Sequence, residues 1–341
     1  MVEERKCSHV GFWIVLVLFG LGLGVSLLLN FGLIVGMAVT HTPGPELMAR
    51  GGEDEFPRLN ERWSYGKGRV KAVRIAVEGA IFRERVDGLF SSQRYDKVED
   101  ILRQIRAAQA DGSVRAIILE VDSPGGAVTP SDEIYRALNE FKASTSSRKV
   151  VVFIRDLAAS GGYYVSMAAD RIICEPTAIV GSIGVIMETI NIKGLSEKIG
   201  ITDVTIKSGA NKDLLNPFHD VSPEQRALMQ KLIDDMYNRF LGIVVKGRNS
   251  DVETMRPLAD GRVFSADEAY KLKLVDEIGY FEKAIAATKK LLGEKTLRVV
   301  TYQQPSDFFS LFGASSGPQQ LLKSLDPIRN EKTRMLYLWK P

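Results

Sequence analysis

From Val10 to Thr40 the chain has no charged side chain, and Trp13, Ile14, Leu16, Phe19, Leu27, Leu28, Leu29, Ile34 and Val35 fall within this run. The run exceeds the roughly 20 apolar residues that carry a helix across a bilayer, so it predicts a transmembrane helix over 10–40. A cleaved export signal has an apolar core of only about 7 to 15 residues followed by a small-x-small site, and neither feature fits here. Arg5 and Lys6 precede the run, whereas the next basic residue after it is Arg50. That asymmetry puts residues 1–9 in the cytoplasm and the body of the chain on the other side of the membrane. Gly20 with Gly24 and Gly32 with Gly36 have the spacing that lets helices approach closely, a common feature of membrane spans.

After the span, His41-Thr42-Pro43-Gly44-Pro45 and the polar stretch Glu46 to Glu55 read as an extended linker over 41–67. The pattern then alternates between short strands and helices. Val70 to Phe82 is strand-like, and Val98, Ile101, Leu102 and Ile105 line one face of a helix from Tyr95 to Ala108. Val114 to Val121 is a strand, Ser131 to Lys142 a helix, and Val150 to Ile154 a β-branched run typical of a buried strand. An apolar helix follows to about Asp170, then a strand at Arg171 to Cys174 and a glycine-punctuated turn, Val180 to Val185, into another strand. Asp203 to Lys207 reads as a further strand. Ser222-Pro223-Glu224-Gln225 and Ser265-Ala266-Asp267-Glu268 are capping boxes opening helices to about Lys246 and Leu272. Strands alternating with helices predict an α/β fold.

Composition removes several function classes. A net charge of +3 over 341 residues, with both signs interspersed, lacks the basic stripe of a nucleic-acid binder. Cys7 and Cys174 are far apart and assigned to opposite sides of the membrane, so neither a disulfide nor a zinc site is expected.

The chemistry concentrates at strand-to-helix junctions. Ser160, in Ala158-Ala159-Ser160-Gly161-Gly162, ends a strand and opens a helix, where free N–H groups and the helix dipole favour an oxyanion. The plainer reading is that Ser160 only caps the helix. Asp122-Ser123-Pro124-Gly125-Gly126 is a second such loop, able to point backbone N–H groups at a ligand. A serine nucleophile needs a base. The chain has three histidines, of which His9 and His41 flank the span, leaving His219 as the one histidine candidate. Lys207 and Lys212 lie in a polar loop and are the other candidates, with solvated surface as the bland alternative. A lysine with a pKa near 10.4 must be lowered by about three units, about 4 kcal/mol, to accept a proton at neutral pH, which apolar burial can supply.

Taken in order, D-S-P-G-G (122–126), A-A-S-G-G-Y-Y (158–164), V-G-S-I-G-V (180–185), K-S-G-A-N-K-D (207–213), and G-R-V-F-S-A-D-E-A (261–269) with L-V-D-E-I-G (274–279) resemble the signal peptide peptidase A (protease IV) family in its short, single-repeat form. The resemblance spans about Val70 to Leu292. It implies a Clp-protease/crotonase-like α/β fold behind one membrane helix and a serine endopeptidase with a Ser-Lys dyad acting on cleaved signal peptides and other apolar peptides. By motif position, Ser160 is the nucleophile and Lys212 the base, with Lys207 the alternative; Ser182 orients the amine, and the N–H groups of Gly126 and Gly161 form the oxyanion hole. No cofactor or metal is implied. Other readings are a relative that cleaves stomatin-like membrane proteins, a crotonase-like acyl-CoA enzyme, or an inactive membrane scaffold. A half-sized unit is expected to close into a ring of copies around an interior chamber, with the protease domain at 68–297 and an extension at 298–341. The extension ends in Met335-Leu336-Tyr337-Leu338-Trp339, which reads as a docking segment or a flexible end.

Overall fold

The computed structural model describes residues 10–41, 57, 59–83, 96–303 and 336–338. Arg5, Lys6, the linker residues Glu46 to Glu55, and Phe308 and Phe309 lie outside the described residues. The chain divides into two units, Met1–Glu53 and Asp54–Pro341. The first holds helix α1, Val10–His41. Its stretch Trp13–Leu33 has a mean hydropathy of 2.4 and is long and apolar enough to cross a membrane. Twenty-one helical residues rise about 31 Å, the thickness of a hydrocarbon core.

In the second unit the elements run β1 Asn60–Tyr65, β2 Lys71–Glu78, α2 Lys97–Ala110, β3 Val114–Ser123, β4 Gly125–Ala127, α3 Val128–Ala143, β5 Lys149–Ala159, α4 Gly161–Ser166, β6 Arg171–Cys174 and β7 Ile179–Gly181. They continue with α5 Lys193–Ile199, α6 Pro223–Gly247, α7 Val252–Met255, β8 Val263–Ser265, α8 Ala266–Lys271, β9 Glu277–Ile278, α9 Phe281–Leu292, β10 Arg298–Gln303 and β11 Leu336–Leu338. The main sheet has the order β1-β10-β2-β3-β5-β6-β9. It is parallel from β10 to β9, with β1 antiparallel at one edge.

Alternation along each strand separates two apolar faces. Val73, Ile75, Ile117, Leu119, Val150 and Val152 pack under the helices α2, α3 and α4. Ala72, Ala116, Ile118, Val151 and Phe153 pack against Ala284 and Ile285 of α9. With both faces covered, the central strands read as near-continuous apolar runs, which is how the sequence announced them.

β5 is the strand that builds the site, because it forks. Its first half pairs with β6 (Val151↔Arg171 to Ile154↔Cys174), and its second half pairs with β7 (Leu157↔Ile179 to Ala159↔Gly181). The chain is thereby carried beyond the sheet, and its end at Ala159 stands beside the turn after Gly181.

Three elements differ from the pattern-based expectation. The strand expected after the Val180–Val185 turn is absent, residues 187–192 holding none; the strand of this region is β7, which leads into the turn. Asp203 to Lys207 has no regular structure, and its apolar side chains lack a neighbouring strand: Val204 and Ile206 are 83% and 98% exposed. The sheet also takes in Asn60–Tyr65 and Arg298–Gln303, which lie in the expected linker and C-terminal extension. β1 buries almost nothing, so no apolar alternation marked it.

Candidate active site

Ser160 is the single residue between β5 and α4. It is 1% exposed, and its backbone adopts φ +52° and ψ −113°, a conformation L residues rarely hold, costing about 1 to 3 kcal/mol. Its side chain makes no capping hydrogen bond, so the plain capping role does not account for a serine here. The strained turn is pinned by its main chain. Ser160 N–H donates to the Gly181 carbonyl at 2.8 Å, and Tyr164 N–H donates to the Ser160 carbonyl at 2.8 Å.

Ser182 follows Gly181 directly and repeats the strain, with φ +50°. Its N–H donates to the Arg262 carbonyl at 2.7 Å, and the residue is buried. Both serines line one cavity of about 610 Å³. Its walls come from the loop after β7 (Val185, Ile186), from α6 (Gln230, Ile233, Asp234, Tyr237) and from the Ala259–Gly261 loop.

The glycine loops meet beside Ser160. In Asp122–Gly126, Ser123 Oγ donates to the Gly79 carbonyl at 2.7 Å and accepts from Gly125 N–H at 3.1 Å, which fixes the turn into β4. A side chain at Gly126 would stand 2.2 Å from the Ile81 carbonyl oxygen. One at Gly161 would stand 2.6 Å from Ser131 Oγ and 3.1 Å from Gly126 N, so the two backbones are in contact and only glycine fits either position. Asp122, at the head of the loop, has its pKa raised by burial and by the charges of Asp156 and Glu78, against the opposing Arg155.

The structure does not bring the lysines into this cavity. Among the described residues that line it there is neither lysine nor histidine. Lys212 is exposed, in a turn where its N–H donates to the Gly209 carbonyl at 3.1 Å. Lys207 Nζ is bound to Asp213 Oδ1 at 2.7 Å, and that hydrogen bond lowers the Asp213 pKa. Lys207, Asp213 and His219 line a separate cavity of about 180 Å³. His219 lies 3.4 Å from Asp203 and 3.7 Å from Asp213 and is not among the described residues lining the cavity of Ser160.

One contributor was outside every motif. β11 pairs antiparallel with β4, in the register Leu336↔Ala127, Tyr337↔Gly126 and Leu338↔Gly125. Leu338 lines the cavity with Ser160 and Ser182. Residues 336–338 thus lie as an extended peptide against the glycine loop. Apolar clustering at 335–339 was the available signal, and it was readable as a docking segment without indicating where it docks. The α6 wall was equally unreadable, because periodicity gives a helix its apolar face and not its neighbour.

The family model for Peptidase family S49 matches residues 142–295, and that for Clp protease matches 70–180. An Enterococcus faecium protein carrying the name signal peptide peptidase SppA is 37% identical over 72% of this chain and 70% of its own length. The chain belongs to peptidase family S49. Proteins named as proteases in Methanocaldococcus jannaschii and Synechocystis are 32% and 35% identical, over 77% and 75% of this chain and 86% and 88% of theirs. The fold of this S49 peptidase is accordingly the Clp-protease-like α/β fold, preceded by a helix able to span a membrane.

Proposed function

We propose that this protein is a membrane-anchored serine endopeptidase that hydrolyses extended apolar peptides, cleaved signal peptides among them, with Ser160 as nucleophile and Lys212 as general base. The observation that carries this reading is the pairing of β11 with β4: a segment of polypeptide, held by main-chain hydrogen bonds, delivers an aliphatic side chain to the cavity of Ser160. Strand addition recognises any extended peptide through its backbone and selects by side-chain pocket. Val185, Ile186, Ile233 and Tyr237 supply the apolar part of the cavity, whose lining also includes Glu188, Asp234 and Asp260.

In this mechanism Ser160 Oγ attacks the scissile carbonyl, and its proton passes to the neutral lysine amine. The carbonyl oxygen becomes an oxyanion held by Gly126 and Gly161 N–H groups, each worth about 3 to 4 kcal/mol in comparable sites. The lysine returns the proton to the leaving amine and then activates water to release the acyl group from Ser160. Lys212 suits the base role better than Lys207, whose amine is already held by Asp213.

Lys212 reaches Ser160 from a second copy of the chain. Two observations support this arrangement: neither lysine nor histidine is among the described residues that line the cavity, and the segment 190–206 preceding Lys212 exposes Ile190, Leu195, Ile199, Ile201, Val204 and Ile206 to solvent. Six large apolar side chains exposed within one short segment are what an interface would cover. Seating this segment on a neighbour would cover it and take the Lys212 amine out of water, so activity would require assembly, in a closed ring. Helix α1 anchors each copy, with its N-terminus in the cytoplasm and the Asp54–Pro341 unit outside.

Incubating the detergent-solubilised full chain with synthetic signal peptides and reading fragments by mass spectrometry tests the reading. Internal cleavage that vanishes in Ser160→Ala is expected; intact peptides, or equal cleavage by the variant, would refute it.

A further inference from the structure

Ser160 keeps an unfavourable backbone conformation, and a strained turn persists only where its surroundings over-determine it. Tyr164 is the residue on which those surroundings converge. It is fully buried, and its N–H holds the Ser160 carbonyl. Its hydroxyl donates to Asp132 Oδ1 of α3 at 2.5 Å. Asp132 also accepts from Arg239 Nη2 of α6, at 2.7 Å to Oδ1 and 2.9 Å to Oδ2. Next to Arg239, the Phe240 ring packs on Tyr164 at 5.0 Å, and the Tyr135 ring meets its other side edge-on at 5.5 Å. α6 is the helix whose Gln230, Ile233, Asp234 and Tyr237 wall the cavity.

We propose that Tyr164, Asp132 and Arg239 are positioning residues that lock the nucleophile turn to α3 and set the α6 wall of the cavity against it. Stability alone gives little reason for the arrangement. A phenylalanine at 164 would fill the same volume without needing a partner, and the Arg239 side chain is 57% exposed, where ion pairs contribute little. What the three residues do supply is a fixed distance between the strained serine and the helix against which the substrate side chain rests. An error of about 1 Å in such a distance costs about a hundredfold in rate.

The inference rests on Ser160 as the nucleophile, and the test separates the two. Peptide hydrolysis is followed alongside labelling of Ser160 by a serine-directed phosphonate, on full-length protein. Tyr164→Phe is expected to lower kcat and the labelling rate about tenfold with KM nearly unchanged and Arg239→Ala chiefly to raise KM, while Asp132→Ala, which cuts both contacts, does both. Asp132→Asn, which keeps an oxygen to accept from Tyr164, restores most of kcat. The Tyr164→Phe/Asp132→Ala double variant is no slower than Asp132→Ala alone, because that substitution already cuts the Tyr164 link. Wild-type protein that hydrolyses peptides while Ser160 stays unlabelled overturns the serine reading and this role with it. Labelled wild type with variants that label and turn over equally fast overturns the positioning role alone.

Discussion

Leu338 pairs antiparallel with Gly125, and its side chain shares a cavity with Ser160. Residues 336–338 therefore occupy the place proposed for a substrate, and they do so tethered. A tethered segment competes at an effective concentration of order mM. Deleting residues 336–341 is expected to raise kcat/KM for peptides about five- to tenfold, and a synthetic 335–341 peptide added back should inhibit competitively. Steady-state kinetics on the truncated protein check this; unchanged kinetics would mean that the strand does not block the site.

Replacing Ser160 separates chemistry from strain. Ser160→Ala should be inactive and unfold within about 0.5 kcal/mol of wild type, since the hydroxyl makes no capping bond. Ser160→Gly should be equally inactive but more stable by about 1 kcal/mol, because glycine carries no penalty at φ +52°. Thermal denaturation of the three proteins reads both effects.

Lys212 is exposed and is not among the described residues lining the cavity of Ser160, which makes complementation decisive. Lys212→Ala should be inactive and Lys207→Ala measurably active. Co-assembling Ser160→Ala with Lys212→Ala chains should restore about a quarter of wild-type activity or less, as only interfaces pairing an intact serine with an intact lysine function. No recovery in confirmed mixed assemblies would place the lysine elsewhere.

Asp276, in the motif L-V-D-E-I-G, belongs to the scaffold. It accepts from Arg248 Nη2 at 2.9 Å and from Ile172 N–H at 2.7 Å, tying the end of α6 to β6. Burial alone would raise its pKa, but the Arg248 hydrogen bond and charge outweigh it, and the folded value is lowered. A depressed carboxylate stabilises the fold in full above the unfolded pKa of about 3.9 and loses that contribution as pH falls through the folded value. Asp276→Ala, which strands a buried guanidinium, should cost about 2 to 4 kcal/mol at pH 7 and progressively less below pH 4. Denaturant titrations at both pH values measure it.

The central strands and both capping boxes were legible because burial on two faces and N-terminal capping leave local signatures; Ser222 and Ser265 each accept from the N–H three residues on. β1 was not, since its residues face solvent. The site divides the same way. Ser160, Ser182 and the Gly126–Gly161 contact lie at junctions whose glycines and serines are visible in sequence. The α6 wall and β11 depend on which surfaces meet after folding, and the expected strand at 203–207 finds no partner strand in the described residues of one chain.

The most direct test is to trap the acyl-enzyme. The solubilised protein is mixed with an apolar peptide p-nitrophenyl ester, quenched in acid and mapped by mass spectrometry. The account predicts an acyl group on Ser160 alone, absent from Ser160→Ala and greatly reduced in Lys212→Ala. An acyl group on Ser182, or hydrolysis by an unmodified Ser160, would contradict it.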